Sequence, residues 1–537
     1  MPILQWLNKD DAVRAAQKSA YRVLEEVPEL SYGDKDNENL LIQGDNLEAL
    51  KALIPFYAGK VKCIYIDPPY NTGAAFEYYD DNLEHSIWLS MMYPRLELLR
   101  ELLSEDGFIC VHIDDKESAY IKVMLDEIFG RENYQNTFYI QVRYADKTLK
   151  EDMAYHKQIE QCHVYRKSRL SKPNRPIEEA GFEKFNFQIK IINQPIKEVV
   201  LGGKKVEVYK HDDYKVIKKK NGFVEGLKEI WASGSILDGN SSGRFFRDYL
   251  SGRVKEDGLG VLYKVPNIGD DNFEHRFFTG PKRKGATKGK YYQGVPTKKI
   301  NEKFKSVPIP NYYDFADRFG NCRHEGGVDF RSGKKPEHYI QLIIERFSTE
   351  GDLVLDSFLG SGTTAAVAHK MGRRYIGIEL GEHAQTHCQT RLQKVVDGEQ
   401  GGISKAVNWR GGGGFRFLKL GAAVFDEYGS LNSDIKFSTL AAHIWYLENR
   451  TPLQNKADSP LLGVHDGVAY YLLYNGILGD RRPQGGNVLT SAILKSLPNI
   501  EEQQKVVIYG ESCRLGEARL QRENITFKQI PYDVGML

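Results

Sequence analysis

Short apolar runs alternate with amphipathic segments in two separate parts of the chain. Val61–Ile66 and residues 107–113 are apolar runs of strand length, and between them large apolar residues recur at spacings of three and four, as on one face of a helix. The same alternation returns at Leu353–Asp356 and residues 375–379, with a helical segment from Thr363 between them. The pattern predicts an α/β fold with buried strands.

The same pattern divides the chain into five segments. Residues 1–40 predict a charged helical lead-in, and residues 41–167 and 331–400 carry the α/β pattern. Residues 168–330 lose that periodicity and gain Gly, Lys, Tyr and Phe, while residues 401–537 open with a glycine-rich stretch and continue as short mixed elements. We therefore predict one α/β domain in two halves, separated by an inserted domain and followed by a C-terminal domain.

Composition and charge narrow the class of protein. The 537 residues are 41% hydrophobic, which is sufficient for a globular enzyme, and 74 Lys and Arg against 72 Asp and Glu exclude a uniformly basic surface. No apolar run reaches the ~18 residues of a membrane span, and the N-terminus lacks the apolar core of a secretory signal. The six cysteines form no C-x-x-C pair. We expect a cytoplasmic protein with reduced thiols and no metal site.

A glycine-rich turn follows the strand that ends in Asp356. Gly360 and Gly362 allow a tight turn, and the helix from Thr363 offers free N–H groups to a ligand. Glu379, at the end of the next strand, is placed to accept both hydroxyls of a ribose. The unit predicts a nucleoside cofactor, either NAD through the two glycines or S-adenosylmethionine, whose cationic amino group Asp356 would attract.

Asp67, Pro68, Pro69 and Tyr70 follow the strand Val61–Ile66 at its carboxyl end. Two prolines hold the turn rigid, so the Asp67 carboxylate and the Pro68 carbonyl can accept the two N–H bonds of an aromatic amine. Both acceptors stabilise the positive charge that grows on the nitrogen during methylation, and Tyr70 would stack on an extruded base. The tetrapeptide and the glycine turn together disfavour the interpretation of the chain as an NAD-dependent dehydrogenase.

The motifs and their order resemble the β class of DNA adenine-N6 methyltransferases, in which the tetrapeptide precedes the cofactor turn and a target-recognition region lies between them. An initial Asp is typical of adenine-N6 enzymes, with cytosine-N4 as the alternative. The chain most closely resembles the modification (Mod) subunit of Type III restriction-modification systems, in the following stretches: residues 41–50 (LIQGDNLEAL), 67–73 (DPPYNTG), 88–95 (WLSMMYPR), 156–160 (HKQIE), 230–234 (IWASG) and 244–247 (RFFR). This resemblance implies a circularly permuted, Rossmann-like methyltransferase fold that binds S-adenosyl-L-methionine.

The resemblance also assigns cofactor-binding residues. Asp45 would lie near the adenine of the cofactor, although a helix N-cap is an equal alternative for it. Glu379 would bind the ribose, and Lys335 matches the lysine of a Lys-Pro motif beside the cofactor. The residues that would hold the methionine part are Asp356, Phe358, Gly360, Gly362 and Thr363.

The family implies a homodimer and a separate restriction subunit, and residues 401–537 would provide the contact for the dimer or for the restriction subunit. No Gly-Lys is followed by Ser or Thr, so the chain has no nucleotide-hydrolysing P-loop of its own. Two alternatives remain: a stand-alone adenine or cytosine-N4 methyltransferase, and a non-catalytic DNA-binding specificity protein.

Residues 281–305 are strongly basic, with nine Lys or Arg and one acid. Within the recognition region they predict contacts to the phosphates of double-stranded DNA, while Tyr291 and Tyr292 would stack or wedge during base extrusion. The alternative for such a run is a solvated loop. The predicted phosphate contacts are Lys282, Arg283, Lys284, Lys288 and Lys290.

Overall fold

The computed structural model divides into two compact units, residues 1–174 with 310–537, and residues 175–309. It describes residues 3–34, 36–71, 84–147, 154–179, 181–235, 240–297, 300, 304–331, 333–425, 431–432, 434–454, 457–479 and 486–534. No helix among them is long and apolar enough to cross a membrane.

The first unit is built on a mixed sheet with the strand order β1-β21-β3-β20-β19-β4-β5-β7-β6-β18, and β2 pairs with β21. From β21 to β5 neighbouring strands are parallel, whereas β7 is antiparallel to both of its neighbours. The strands are β1 (Arg22–Glu26), β2 (Tyr32–Gly33), β3 (Leu40–Gln43), β4 (Val61–Ile66), β5 (Leu103–Ile113), β6 (Tyr134–Gln141), β7 (Ile159–Arg166), β18 (Tyr312–Asp314), β19 (Leu353–Asp356), β20 (Arg374–Glu379) and β21 (Gly414–Ala423).

Helices connect the parallel strands of this sheet, and the central strands are buried, which is why they read as continuous apolar runs. The carboxyl ends of β4 and β19 are neighbours, although the insertion separates them in the chain. The helices of this unit are α1 (Lys9–Lys18), α2 (Asn46–Tyr57), α3 (His85–Leu102), α4 (Asp115–Phe129), α7 (Ala316–Asn321), α8 (Glu337–Phe347), α9 (Thr363–Lys370), α10 (Thr390–Val396), α11 (Phe437–Asn449), α12 (Ser491–Ser496) and α13 (Glu517–Arg522).

The C-terminal part of the first unit has a sheet of its own, with the strand order β22-β23-β25-β27 and a separate β24-β26 pair. Its hydrophobic core is shared with Tyr21 and Ala52 from the N-terminal part of the chain. The strands are β22 (Leu461–His465), β23 (Val468–Leu472), β24 (Val488–Leu489), β25 (Lys505–Gly510), β26 (Ser512–Cys513) and β27 (Ile525–Gln529).

The second unit has a six-stranded antiparallel sheet with the order β10-β11-β14-β15-β16-β13, and two separate antiparallel pairs, β12-β9 and β17-β8. Its strands are β8 (Ile177–Glu179), β9 (Phe187–Ile191), β10 (Lys197–Leu201), β11 (Lys204–Tyr209), β12 (Tyr214–Lys218), β13 (Lys228–Ser233), β14 (Leu262–Pro266), β15 (His275–Thr279), β16 (Lys288–Gln293) and β17 (Phe304–Ser306). Its helices are α5 (Ser241–Phe245) and α6 (Val254–Asp257).

The structure differs from the predicted segments at three places. The helical prediction for residues 1–40 is wrong beyond α1, because β1 pairs with β21, a partner almost four hundred residues away. The second unit is shorter than the predicted insertion 168–330, since β18 joins the sheet of the first unit. The segment 401–537 likewise contributes β21 to that sheet. All three differences result from pairing between strands that are distant in the chain, which the local periodicity of the sequence does not reveal.

Candidate active site

The glycine turn follows β19 and leads directly into α9. The Asp356 carboxylate accepts the Phe358 N–H at 2.9 Å and the Thr364 hydroxyl at 2.6 Å. Gly360 and Gly362 have φ angles of 58° and 81°, in the left-handed region that favours glycine. The Gly360 N–H donates to the carboxylate of Glu379, at 2.5 Å, which closes the turn onto the end of β20. The predicted cofactor residues thus meet at two neighbouring strand ends.

Asp356 is almost fully buried. Burial raises the pKa of its carboxyl to about 7, and the hydrogen bonds from Thr364 and Phe358 offset this only in part. Next to it, the Ser357 hydroxyl is buried and has no hydrogen-bond partner among the described residues. A buried carboxyl beside an unpaired hydroxyl fits a polar, cationic ligand group better than an apolar one.

A buried ionic cluster lies beneath this turn. Glu337, at the start of α8, pairs with Lys370 of α9 at 2.8 Å and with Arg391 of α10 at 2.8 Å. Arg391 also donates to the Thr363 hydroxyl at 2.7 Å, so the cluster reaches the first residue of α9. Burial would raise the pKa of Glu337, but the charges of Arg391 and Lys370 hold it below its ordinary value. The cluster therefore ties three helices to the turn.

The tetrapeptide from Asp67 to Tyr70 follows β4 at the same edge of the sheet. The indole N–H of Trp88, a fully buried residue of α3, donates to the Pro69 carbonyl at 2.8 Å. Among the described residues none donates a hydrogen bond to the Pro68 carbonyl. The turn is thus anchored at its second proline.

Asp67 is the centre of a compact polar network. The Lys335 ammonium lies 2.7 Å from one of its oxygens and 5.1 Å from the centre of the Tyr70 ring. The Tyr70 hydroxyl lies 2.7 Å from the other Asp67 oxygen and 3.0 Å from a Glu160 oxygen. Burial would lower the pKa of Lys335, but Asp67 and Glu160 raise it above its ordinary value, so the lysine is charged.

Sequence reasoning missed the outer part of this network. His112 Nε2 lies 2.7 Å from Glu160, and its Nδ1 lies 2.6 Å from the Tyr339 hydroxyl. Burial would raise the pKa of Glu160, but the Lys335 charge and the His112 hydrogen bond hold it at about 2. An ionised carboxylate only accepts, so His112 Nε2 donates to it. Glu160 lies in residues 156–160, one of the stretches that resemble the family, and no other feature of the sequence singled it out.

The structure places the two remaining predicted cofactor residues, Asp45 and Lys335, in different roles. Asp45 is the N-cap of α2, accepts the Leu47 N–H at 2.8 Å and pairs with Arg95 at 3.1 Å. It therefore has the capping role that was the alternative for it, and its contact with the cofactor stays a prediction. In the doubled lysine, Lys334 donates to three backbone carbonyls, whereas Lys335 reaches Asp67. Lys335 is thus the one that belongs to the site.

The basic residues of the second unit lie on and beside β16. Lys282, Arg283, Lys284 and Lys288 are exposed, and no described carboxylate pairs with them. Lys290 is partly buried and pairs with Glu229 at 2.6 Å.

The prediction that Tyr291 and Tyr292 wedge into DNA is wrong. Both rings are at most 5% exposed, and they point to opposite faces of the sheet, where each joins a hydrophobic core. Their hydroxyls are also occupied, since Asn240 donates to Tyr291 and Tyr292 donates to Glu229. Alternation along β16 buries both side chains, so neither is available to stack on a base.

Among the described residues no group of three or more His, Cys, Asp or Glu side chains is arranged to hold a metal ion.

Comparisons with known proteins agree with this geometry. A family model described as DNA methylase matches residues 61–389. The chain is 35% identical over 422 residues to a probable Type III restriction-modification enzyme Mod subunit, HindVI, of Haemophilus influenzae, covering 73% of this chain and 54% of that protein. It is 39% identical over 163 residues to the EcoPI Mod subunit of Escherichia phage P1, covering 24% and 25% respectively. The chain spans about half the length of the first relative and a quarter of the second.

A more distant relative and a solved structure complete the comparison. The Type II methyltransferase M.EcaI of Enterobacter cloacae is 28% identical over 351 residues, covering 64% of this chain and 66% of that protein. A putative DNA modification methylase of Thermus thermophilus superposes with a TM-score of 0.32 at 14% identity, covering 71% and 99%. The family match includes both the tetrapeptide and the glycine turn. The resemblance seen in the sequence is confirmed, and the chain belongs to the DNA methylase family.

Proposed function

We propose that the protein is a site-specific DNA methyltransferase that transfers a methyl group from S-adenosyl-L-methionine to the N6 amino group of adenine in duplex DNA. The observation that carries this proposal is the meeting of Asp67 and Asp356 at the ends of neighbouring parallel strands. One carboxylate heads a rigid Pro-Pro turn, and the other heads a glycine turn. An acceptor for an amine therefore lies beside a site for a cationic nucleoside.

The residues around Asp356 fit S-adenosyl-L-methionine. Its carboxylate has about four acceptor positions, of which the described contacts use two, so it can also accept an ammonium. Glu379 would take the ribose hydroxyls, and Gly360 and Gly362 let the backbone approach the ligand, with Phe358 and Thr363 at the flanks. Bound there, the cofactor supplies an activated methyl group on a sulfonium.

Asp67 and the Pro68 carbonyl would activate the target amine. Each accepts one N–H of the amino group, which favours a pyramidal nitrogen with its lone pair directed away from the ring. As positive charge grows on the nitrogen, both acceptors bind it more strongly than in the ground state. Lys335 and the Tyr70 hydroxyl each contact one Asp67 oxygen, which leaves about two of the four acceptor positions of the carboxylate for the amine. Glu160 balances the charge of Lys335.

The similarity to Type III Mod subunits supports a place in such a system. We infer that the second unit reads the recognition sequence, with Lys282, Arg283, Lys284, Lys288 and Lys290 on phosphates. A homodimer, a separate restriction subunit and a cytoplasmic location belong to the same proposal. The C-terminal part would provide the contact for the dimer or for the restriction subunit. Sedimentation of the purified chain at increasing concentration tests the homodimer.

Transfer of a labelled methyl group tests the activity. Purified protein is incubated with plasmid DNA and S-adenosyl-L-methionine that carries a labelled methyl, and label in the DNA is counted after protein removal. We expect incorporation that saturates at a fixed number of sites per plasmid. DNA binding without incorporation by the wild-type chain would instead identify a non-catalytic specificity protein.

A further inference from the structure

Trp231 is a large aromatic side chain that the second unit leaves in solvent. It lies on β13, the edge strand of the six-stranded sheet, and is 67% exposed. By contrast, Trp6, Trp88 and Trp445 are at most 9% exposed. Removing an indole from water is favourable, so an exposed tryptophan offers a partner a surface from which it can gain affinity.

The ring is held in place by its neighbours. Trp231 lies directly opposite Lys290 on β16, whose ammonium is 4.7 Å from the ring centre. The same ammonium pairs with Glu229, which also accepts from the Tyr292 hydroxyl at 2.9 Å. A cation over the ring and a carboxylate behind the cation restrict the rotamers of both side chains. The indole is therefore preorganised rather than free to rotate.

The surroundings of the ring are basic. Two positions along the same face, Ser233 lies opposite the exposed Lys288. The turn that precedes β16 presents Lys282, Arg283 and Lys284 to solvent, and no described carboxylate pairs with them. The Glu229 carboxylate is neutralised by its ion pair with Lys290. An exposed aromatic ring on a strand whose neighbour, β16, carries an exposed lysine and follows a basic turn suits a polyanion whose subunits have flat, stackable faces.

We propose that Trp231 is an aromatic DNA contact of the second unit that stacks on an exposed base, while Lys288 and the basic turn bind the flanking phosphates. This inference rests on the proposed function, because it takes DNA as the substrate. It assigns to Trp231 the role that the burial of Tyr291 and Tyr292 removes from them.

Two substitutions at Trp231 separate stacking from folding. Trp231→Ala removes the ring, and we expect its Kd for plasmid-derived duplex containing the methylated site to rise about 5- to 150-fold, the range for loss of one base stack. Trp231→Phe keeps a smaller ring and should lose less. The matched control is Val200→Ala, because Val200 is 70% exposed on β10 at the opposite edge of the same sheet. It should bind DNA as the wild type does.

Two further readouts distinguish a ring from a charge. The salt dependence of binding should keep its slope in Trp231→Ala, since no cation is lost. Tryptophan emission of the wild type should be quenched when DNA is added, and Trp231→Phe should lose most of that change.

The outcomes separate this inference from the proposed function. If the wild-type chain neither binds nor methylates DNA, the proposed function fails, and the inference fails with it. If the wild type methylates DNA and Trp231→Ala binds as tightly as the control, the inference alone is overturned. Unchanged DNA binding with a loss of self-association in Trp231→Ala would overturn it too, and would assign the ring to a protein contact.

Discussion

Asp356 carries a pH dependence at the scale of a single residue. Its pKa of about 7, raised by burial, means that the carboxyl is largely neutral below that pH in the ligand-free protein. A cationic amino group binds the ionised form, so affinity is lost as the pH falls through the pKa. We expect the Kd for S-adenosyl-L-methionine to increase between pH 7.5 and 5.5, by up to about tenfold per pH unit below 7.

Calorimetric titration at fixed ionic strength measures this dependence. The matched variant is Asp356→Asn, which cannot ionise and should bind weakly with little dependence on pH. A wild-type Kd that stays constant over this range would show that Asp356 does not attract the amino group.

Glu160 is predicted to act through Tyr70 and Lys335. It accepts from His112, lies 3.0 Å from the Tyr70 hydroxyl, and its charge faces the Lys335 ammonium. In Glu160→Gln the positive charge of Lys335 is less well neutralised. That charge then disfavours the positive charge that develops on the amine. We expect kcat to fall at least tenfold while the Kd for the cofactor changes less than twofold.

Single-turnover kinetics test this role. The control is Glu105→Gln, an exposed carboxylate at the opposite end of β5 from His112. Fluorescence of 2-aminopurine at the target position adds a readout of base extrusion, which a general loss of stability would not alter selectively. An unchanged kcat in Glu160→Gln would exclude the role.

At the scale of elements, the glycine turn depends on the buried cluster of Glu337, Lys370 and Arg391. Glu337→Gln leaves the buried Arg391 guanidinium without its carboxylate, while Lys370 keeps its second partner, Glu399. Breaking such a pair costs about 3–5 kcal/mol. We expect a clearly lower Tm for Glu337→Gln and weaker cofactor binding, because Arg391 also holds Thr363.

Glu345→Gln provides the control on the same helix, since Glu345 lies eight residues along α8 and accepts from Gln341 at 2.8 Å. This contact is local and not fully buried, and its loss should cost less than about 1 kcal/mol. Scanning calorimetry compares the two variants. Equal Tm values would mean that the cluster does not support the turn.

The elements that the sequence predicted well are the ones with local signals. The strands β4 and β19 are buried on both faces and read as continuous apolar runs. The helical face between β4 and β5 was also readable, and α3 runs through Pro94 without a break. By contrast β1 is a short, half-exposed strand whose partner lies at the other end of the chain, and nothing in its local pattern reveals that partner.

At the scale of the whole molecule, DNA binding is predicted to depend on the basic turn of the second unit. Replacing Lys282, Arg283 and Lys284 with alanine removes three unpaired cations. Each phosphate contact contributes about 0.9 to the slope of log K against log salt, so the slope should flatten by about 3. Binding to all sequences should weaken together, because phosphate contacts carry no sequence information.

Lys218, Lys219 and Lys220 form a matched control. They are exposed residues of the same unit at the end of β12, and their replacement with alanine removes the same charge. Fluorescence anisotropy with labelled duplex at several salt concentrations compares the two triple variants. Equal slopes would show that net charge, and not the basic turn, governs binding.

The order of the motifs predicted the assembly of the site, whereas the basic run at residues 281–305 was a weaker guide to the DNA contacts. Asp67 and Asp356 are far apart in the chain, and parallel strands bring their ends together, as the resemblance implied. Glu160 and His112 were missed because a single carboxylate or histidine in a strand carries no signal of its partner. Tyr291 and Tyr292 are adjacent aromatics in a basic run, and only the sheet shows that both are buried while Trp231 is exposed.

The central claim is that Asp67 and its prolines direct a methyl group to adenine N6. It is tested most directly by mass spectrometry of the nucleosides from plasmid DNA treated with the wild type and with Asp67→Ala. The account predicts N6-methyladenine with the wild type, and a loss of at least about a hundredfold in Asp67→Ala while cofactor binding is retained. N4-methylcytosine in place of N6-methyladenine, or undiminished methylation by Asp67→Ala, would contradict it.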